Sequence, residues 1–329
     1  MSRPTAYRAP WWLPGGHLQT IFPLACKPPL PAYQRERWDT PDGDFIELDW
    51  LDAPLAAAGP ARPLLIPLVV LFHGLEGSSR SHYARALAGA AQARGWRAVV
   101  PHFRGCGGTP NRLARAYHSG DSDEIDWILR RLRLLAGPAP LYAAGVSLGG
   151  NALLKWLGER GSAAGELVDG AAAICAPLDL TISGHALGRG FNRVYTRHFL
   201  ATLRAKALAK SDRHPGRFDA GRIARARSLA EFDDAYTAPA HGFAGVEDYW
   251  RRASARPWLG GIAMPTLVLN AANDPFVPAA AWPDTQALPS AVRFECPQQG
   301  GHVGFLAGRW PGSQDWLAAR VLAHFAALR

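Results

Sequence analysis

The chain has 329 residues, of which 48% are hydrophobic and 19% charged, a composition that excludes a disordered or fibrous protein and fits one large α/β domain with an insertion. Its longest apolar run, residues 64–72, is about half as long as a transmembrane helix, and no apolar stretch of signal-peptide length follows the N-terminus. The net charge of +9 comes from residues 189–227, which carry eleven Lys and Arg against two Asp and Glu, because the rest of the chain is balanced.

The cysteines give no sign of a disulfide framework or a metal centre. Cys26, Cys106, Cys175 and Cys296 lie far apart and form neither a CxxC pair nor a zinc-binding spacing with histidine. We therefore expect reduced thiols in a cytoplasmic protein, with no metal and no cofactor.

Hydrophobic patterning becomes regular at residue 64. Residues 1–40, rich in Pro and Trp, are expected to be irregular, and the stretch 53–63 is expected to be a linker or hairpin loop. The remaining segments alternate between apolar runs and helical periodicity. The predicted elements are, in chain order, strand 45–50, strand 64–72, helix 82–94, strand 96–100, helix 119–135, strand 141–145, helix 151–160, strand 170–175, strand 266–270, strand 292–296 and helix 314–328.

Strands separated by helices indicate right-handed βαβ units, and hence an α/β fold with a doubly wound, mostly parallel sheet. After residue 179 the alternation stops for about 80 residues of helical, Arg-rich sequence. We predict a single domain over residues 1–329 with a helical cap insertion at 179–258. The insertion is expected to lie over the carboxyl ends of the strands, where open α/β sheets bind ligands.

Residues 145–149 read Gly-Val-Ser-Leu-Gly, a G-x-S-x-G pentapeptide between a predicted strand and a predicted helix. A strand–turn–helix around such a pentapeptide is the context of a nucleophile elbow, so Ser147 is the candidate nucleophile. The N-terminus of the following helix favours developing negative charge. The alternative is a glycine-rich turn with an incidental serine.

An activated serine needs a base and an orienting carboxylate, which follow it in the chain order Ser, acid, His. Asp274 follows strand 266–270 in the string NDPFVP, and His302 follows strand 292–296 in the string GGHVGF. Both therefore lie in loops that can converge on Ser147. Asp284 is a rival acid that lies beyond the turn.

Acyl transfer also needs donors for the oxyanion. We expect the backbone N–H of Leu148, directly after the nucleophile, and that of Leu75, in the glycine-containing loop 73–77 after strand 64–72. His73, at the start of that loop, is expected to be a structural hydrogen-bonding residue.

These strings resemble the α/β-hydrolase superfamily, and within it the YheT-like esterase/lipase group. The resemblance covers nearly the whole chain and is carried by GGHLQT, HGLEGSS, PHFRGCGGTPNR, YHSGDSDE, GVSLGGN, GFAGVEDYWRRAS, NAANDPFVP and GGHVGF. It implies a serine carboxylester hydrolase, and we expect the substrates to be short-chain or lipid-like esters. It also implies that Ser147, Asp274 and His302 are the nucleophile, acid and base.

Two other functions stay open. A non-catalytic binding module on the same fold is disfavoured because all three triad positions hold competent residues. An acyltransferase is suggested by the H-x4-D spacing of His118 and Asp123, although this string leads into a predicted helix, where acids favour the N-terminus.

The basic insertion has three interpretations. It can be a solvated helix face, or it can attach peripherally to anionic lipid through an apolar face formed by Phe191, Val194, Phe199, Leu200 and Leu203. Nucleic-acid binding is disfavoured, since no recognised motif accompanies the charge. His17, in the string GGHLQT, is expected to brace the N-terminal segment.

Overall fold

The computed structural model describes residues 6–53 and 65–328, whose strands form one eight-stranded sheet. The strands are β1 (Gln34–Asp39), β2 (Phe45–Leu51), β3 (Leu68–Phe72), β4 (Arg97–His102), β5 (Leu141–Val146), β6 (Gly170–Ile174), β7 (Thr266–Leu269) and β8 (Val292–Glu295). Their order in the sheet is β1-β2-β4-β3-β5-β6-β7-β8. The β1–β2 hairpin adds to β4 antiparallel, and all pairs from β4 to β8 are parallel. The prediction of a mostly parallel sheet is confirmed.

Helices cover both faces of this sheet, as expected for a doubly wound fold. Strand β3 shows why: Leu68, Val70 and Phe72 belong to one buried cluster, while Val69 and Leu71 belong to the other. Alternate residues of a strand point to opposite faces, so an apolar run is needed where both faces are buried. The helices are α1 (Gly16–Ile21), α2 (His82–Ala93), α3 (Ser122–Ala136), α4 (Leu148–Arg160), α5 (Leu180–Leu187), α6 (Asn192–Arg213), α7 (Ala220–Arg225), α8 (Leu229–Phe232), α9 (Ala238–Ala240), α10 (Val246–Ala253) and α11 (Asp315–Ala326).

Strand β1 corrects the expectation that residues 1–40 are irregular. Its sequence QRERWD buries only Trp38, so it lacks the apolar alternation from which a strand is recognised. As the edge strand it exposes charged side chains, which also discourage pairing with another chain. Strand β3 begins at Leu68, four residues later than predicted, and residues 54–64 of the predicted linker and strand lie outside the described residues.

Between β6 and β7 the chain forms helices α5 to α10, joined by a π-helical turn at Asp233–Thr237. The prediction that the apolar residues of α6 form a single face is wrong. Leu200 is buried in a cluster with helices α7 and α8, whereas Phe191 and Val194 are half exposed. Among the described residues, no helix has both the length and the apolar character that crossing a membrane requires.

The loop after β4 is held by a buried guanidinium. The side chain of Arg104 contacts Asp42 at 2.9 Å, Asp44 at 3.1 Å and Glu124 at 2.5 Å. A buried charge is tolerated when it is paired in this way, so the ion pairs tie the loop to the β1–β2 turn and to α3. Cys106, two residues on, is desolvated, which raises the pKa of its thiol to about 12 and keeps it protonated.

Candidate active site

Ser147 sits in a strained turn between β5 and α4. Its backbone has φ 52° and ψ −117°, a left-handed conformation that is rare for any residue with a side chain. The turn is held from both sides, because the Ser147 N–H donates to the Ile174 carbonyl at 2.8 Å and its carbonyl accepts from Asn151. A Cβ at position 149 would overlap the backbone of Phe72, so only glycine fits there. The serine hydroxyl is thereby aimed out of the carboxyl edge of the sheet.

The other two sequence-predicted side chains meet Ser147 at that edge. His302 Nε2 lies 2.9 Å from Ser147 Oγ, and His302 Nδ1 lies 2.8 Å from Asp274 Oδ2. Since a carboxylate can only accept, Nδ1 carries the proton and Nε2 is left as the acceptor for the serine hydroxyl. Three side chains separated by up to 155 residues thus form one hydrogen-bonded chain.

Both carboxylate oxygens of Asp274 accept hydrogen bonds, which fixes the orientation of the side chain. Its side chain is fully buried, and Oδ1 accepts the Phe276 N–H at 2.8 Å. The Phe276 ring stacks on the imidazole of His302 at 4.2 Å between centroids. The rival acid Asp284 is exposed and accepts the Gln286 N–H instead.

Cys175 lies beside this series of hydrogen-bonded side chains. Together with Asp274 and His302 it forms a group of three possible metal ligands. Burial and the neighbouring carboxylate raise the pKa of the Cys175 thiol well above its usual range, so it stays protonated. Metals bind the thiolate, and both imidazole nitrogens already have partners. A metal at these donors would have to displace the hydrogen bonds that join His302 to Asp274 and Ser147. The sulfur accepts the Val303 N–H at 3.3 Å, which fixes the loop of His302.

The two amides predicted for the oxyanion border the same cavity as Ser147. Leu148 is the first residue of α4, so its N–H has no acceptor within the helix. Leu75 lies between two amides that are already used: Gly74 donates to the Tyr83 hydroxyl and Glu76 to the Tyr117 hydroxyl, both at 2.9 Å. Within the described part of the chain, no hydrogen bond uses the Leu75 N–H.

His73 fixes the turn that carries Leu75. Its Nε2 accepts the Phe103 N–H at 3.1 Å, so Nδ1 bears the proton and donates to the Gly74 carbonyl at 2.8 Å. Complete burial and the nearby His102 lower the pKa of His73 to about 3. His73 is therefore a neutral structural residue, as the sequence indicated.

Helix α1, from the string GGHLQT, braces the loops that carry Asp274 and His302. Gln19 is 1% exposed, and its Oε1 accepts from Asn273 Nδ2 at 2.9 Å and from the Gly300 N–H at 2.8 Å. Its Nε2 donates to the Leu13 carbonyl at 2.8 Å. One buried amide thus links the residue before Asp274 to the turn before His302.

Thr20 completes the brace by contacting the backbone of His302 itself. Its Oγ1 accepts the His302 N–H at 2.9 Å and donates to the Gly16 carbonyl at 2.7 Å. A Cβ at Gly16 would overlap the Asn273 carbonyl, and one at Gly304 would overlap the Gln19 carbonyl. The sequence predicted a bracing role for His17 but not for Gln19 or Thr20; His17 is exposed and hydrogen bonds with Tyr195 of α6.

A cavity of about 530 Å³ extends from Ser147 beneath the helices between β6 and β7. Its wall includes Phe199 and Leu203 of α6 and Trp250 of α10. Two lysines also border it: Lys206 pairs with Glu76 at 2.9 Å, and burial lowers the pKa of Lys210 to about 8.

The structure does not bring His118 and Asp123, the residues of the acyltransferase-like spacing, into contact as a pair. His118 packs on His241 at 4.7 Å between ring centroids, and burial lowers its pKa to about 4. Asp123 is exposed in the first turn of α3. The hydrogen bonds and ion pairs of the described residues do not connect the two.

Known proteins are similar to this chain in sequence and in fold. A family model described as alpha/beta hydrolase fold matches residues 67–308. The Escherichia coli protein named "Putative esterase YheT" is 42% identical over 311 residues, which cover 93% of this chain and 88% of that protein. The human protein named "Phospholipase ABHD3" is 29% identical over 324 residues, which cover 98% of this chain and 78% of that protein.

Among solved structures, Est1E from Butyrivibrio proteoclasticus, determined with ferulic acid bound, is similar with a TM-score of 0.55. The match covers 89% of this chain and 98% of that chain at 15% sequence identity. At this identity the likeness concerns the fold alone.

Replacing Thr20 with Val should lower kcat by about tenfold or more on a soluble ester, with little change in KM, because the His302 amide loses its acceptor and the imidazole drifts from Ser147. Thr20→Ser keeps the hydroxyl and is the matched control. Steady-state kinetics of both variants measure the effect. Equal kcat values for the Val and Ser variants would contradict the positioning role.

Replacing His73 with Asn should make the unfolding free energy less sensitive to acid. The unfolded chain binds a proton at His73 near the ordinary pKa of about 6.5, whereas the folded chain binds it only near 3. Wild-type stability is therefore lost as the pH falls below 6.5, and the advantage over the variant should shrink by about 1.4 kcal/mol per pH unit. Urea unfolding between pH 7 and 4.5 measures it; a constant difference would contradict a neutral, buried His73.

Proposed function

The chain belongs to the α/β-hydrolase family and, within it, to the YheT-like esterase group, and from this premise we propose that it is a serine carboxylester hydrolase. The observation that carries the proposal is the hydrogen-bonded series Ser147–His302–Asp274 at the edge of a cavity. The relatives named esterase and phospholipase support hydrolysis of esters in general.

In acylation, Ser147 Oγ attacks the ester carbonyl carbon while its proton passes to His302 Nε2, which lies 2.9 Å away. Asp274 holds the imidazole in the required tautomer and stabilises the imidazolium. The carbonyl oxygen becomes an oxyanion, for which the amides of Leu75 and Leu148 are the proposed donors. When the tetrahedral intermediate collapses, the carbon–oxygen bond of the leaving group breaks and the alcohol takes the proton from Nε2.

In deacylation, water replaces the alcohol and the same groups act again. His302 Nε2 accepts a proton from the attacking water and returns it to Ser147 Oγ as the acid product leaves. The full cycle consumes one ester and one water and releases one acid and one alcohol. A serine nucleophile with a histidine base needs no bound metal or cofactor for either step.

We place the acyl chain of the substrate in the cavity under helices α5 to α10. These helices belong to residues 179–258, which we propose to be a cap. Phe199 and Leu203 border this cavity, and the ring of Phe199 lies 6.2 Å between centroids from Phe276, which stacks on His302. An apolar wall suits the acyl chain of a short-chain or lipid-like ester. An acyltransferase would use the same acyl-enzyme and differ only in accepting an alcohol instead of water.

The triad assignment predicts large losses of turnover. Ser147→Ala and His302→Ala should each lower kcat by about 10⁴-fold or more, and the double variant should lose little beyond either single one, because the residues act as a unit. Hydrolysis of p-nitrophenyl esters measures this. A single variant with turnover close to wild type would exclude the residue from the mechanism and favour a binding function.

The acid is tested by a matched pair of carboxylates. Asp274→Asn should lower kcat by about 10⁴-fold, since the histidine loses its orienting acceptor. Asp284→Asn should leave kcat unchanged. The opposite pattern would assign the acid to Asp284.

The cap proposal concerns selectivity for acyl length. Phe199 borders the cavity, so Phe199→Ala should lower kcat/KM for esters of eight to ten carbons by about tenfold relative to acetyl esters. Phe191 directly precedes α6, is half exposed and does not border the cavity. Phe191→Ala is therefore the control. An unchanged chain-length profile in a folded Phe199→Ala enzyme would contradict the cap.

A further inference from the structure

An exposed apolar surface lies beside the candidate active site and has no role in the proposed reaction. We call it the N-terminal apolar surface, and it consists of Trp11, Leu18, Ile21, Leu24, Phe191 and Trp310. Trp11 is 92% exposed and Trp310 is 68% exposed, values that are unusual for tryptophan. Exposed apolar side chains that gather in one place mark an interaction site, whereas scattered ones do not.

Ring contacts connect the chain segments that carry this surface. Trp12 packs on both Phe22 and Trp310, with centroids 5.4 Å and 5.1 Å apart, which joins the N-terminal segment to the loop after His302. On the other side, His17 of α1 packs on Phe191 at 4.6 Å. Leu18 and Ile21 are three residues apart on α1 and therefore share a face.

The surface also adjoins the triad. His17 hydrogen bonds with Tyr195, whose ring contacts Phe276 at 4.7 Å between centroids. Phe276 in turn stacks on His302. Only two aromatic side chains therefore separate the exposed surface from the imidazole of the proposed base.

The charge around the surface has one sign. The segments that build it, residues 6–33, 182–211 and 296–314, contain no Asp or Glu. Arg193 and Arg197 follow Phe191 on α6, and Arg309 precedes Trp310; all three are exposed. Among the described residues, no ion pair involves any of them. The cations are therefore available to an external anion.

We propose that the N-terminal apolar surface docks on an anionic lipid bilayer. Tryptophan is the side chain best suited to the headgroup region, and arginines around an apolar patch gain from negatively charged headgroups. A second copy of the chain is a poorer occupant, because a symmetric contact would bring the same cations together. The docking needs no catalytic step, so it is tested apart from the proposed function.

Vesicle sedimentation tests the apolar part. Wild-type protein should sediment with vesicles of three parts phosphatidylcholine to one part phosphatidylglycerol. Trp11→Glu/Leu24→Glu should lower the fraction bound by about tenfold, since two exposed apolar groups become anions. The matched control is Leu134→Glu/Leu135→Glu, which changes two exposed leucines of α3 by the same charge and should bind like wild type.

The cationic part has its own matched pair. Arg193→Gln/Arg197→Gln should lower binding to these vesicles by about tenfold, whereas Arg225→Gln/Arg227→Gln removes the same charge elsewhere in the basic segment and should not. Pure phosphatidylcholine vesicles should bind the wild type more weakly, and added salt should weaken binding to the anionic ones.

Three results would overturn the proposal. The first is wild-type protein that stays in the supernatant with anionic vesicles. The second is an equal loss in each variant and its matched control. The third is a dimer in sedimentation velocity that Trp11→Glu/Leu24→Glu dissociates while vesicle binding is absent, which would assign the surface to contact between copies. A circular dichroism spectrum and a thermal unfolding midpoint equal to those of the wild type show for every variant that the fold is kept.

Discussion

The strained backbone of Ser147 is the constraint on which the rest of the site depends. A residue with φ near +50° and a side chain persists only where its surroundings leave no alternative. Here those surroundings are β5, buried on both faces of the sheet, and α4, which begins at the next residue. The hydroxyl therefore points away from the sheet, and Asp274 and His302 have to reach it from loops at the carboxyl edge.

That constraint explains why much of the site was predictable from the sequence. A G-x-S-x-G pentapeptide between an apolar run and a helical stretch is a local signal, and parallel strands place their following loops at one edge. Asp274 and His302 were identified because each follows a predicted strand, and the structure brings both to within hydrogen-bonding distance along the series that starts at Ser147. Their roles in catalysis are what we propose.

The features that the sequence did not reveal depend on contacts between distant segments. Gln19 meets Gly300 across 281 positions, and Thr20 meets His302 across 282, so no periodicity within either segment records these hydrogen bonds. Strand β1 was missed because its edge position allows charged residues where an inner strand needs apolar ones. The helix α6 was given one apolar face, whereas its apolar residues divide between a buried cluster and solvent.

Helix α1 contributes both to the brace of the site loops and to the N-terminal apolar surface. Its buried side, Gln19 and Thr20, holds the loops of Asp274 and His302, while its outer side, Leu18 and Ile21, is exposed. A short helix of six residues gains little stability on its own, so these buried hydrogen bonds fix it in place. If the outer side of α1 contacts a bilayer, the hydrogen bond from the His302 N–H to Thr20 links that contact directly to the backbone of His302.

The central claim is that Ser147 is a nucleophile activated by His302. Treatment with a fluorophosphonate, followed by mass spectrometry of the intact and digested protein, tests it most directly, because phosphonylation forms an oxygen–phosphorus bond at the activated serine and releases fluoride. We expect one adduct per chain, located at Ser147, with a rate that falls by orders of magnitude in His302→Ala. An adduct at another residue, or equal labelling of Ser147→Ala, would contradict it.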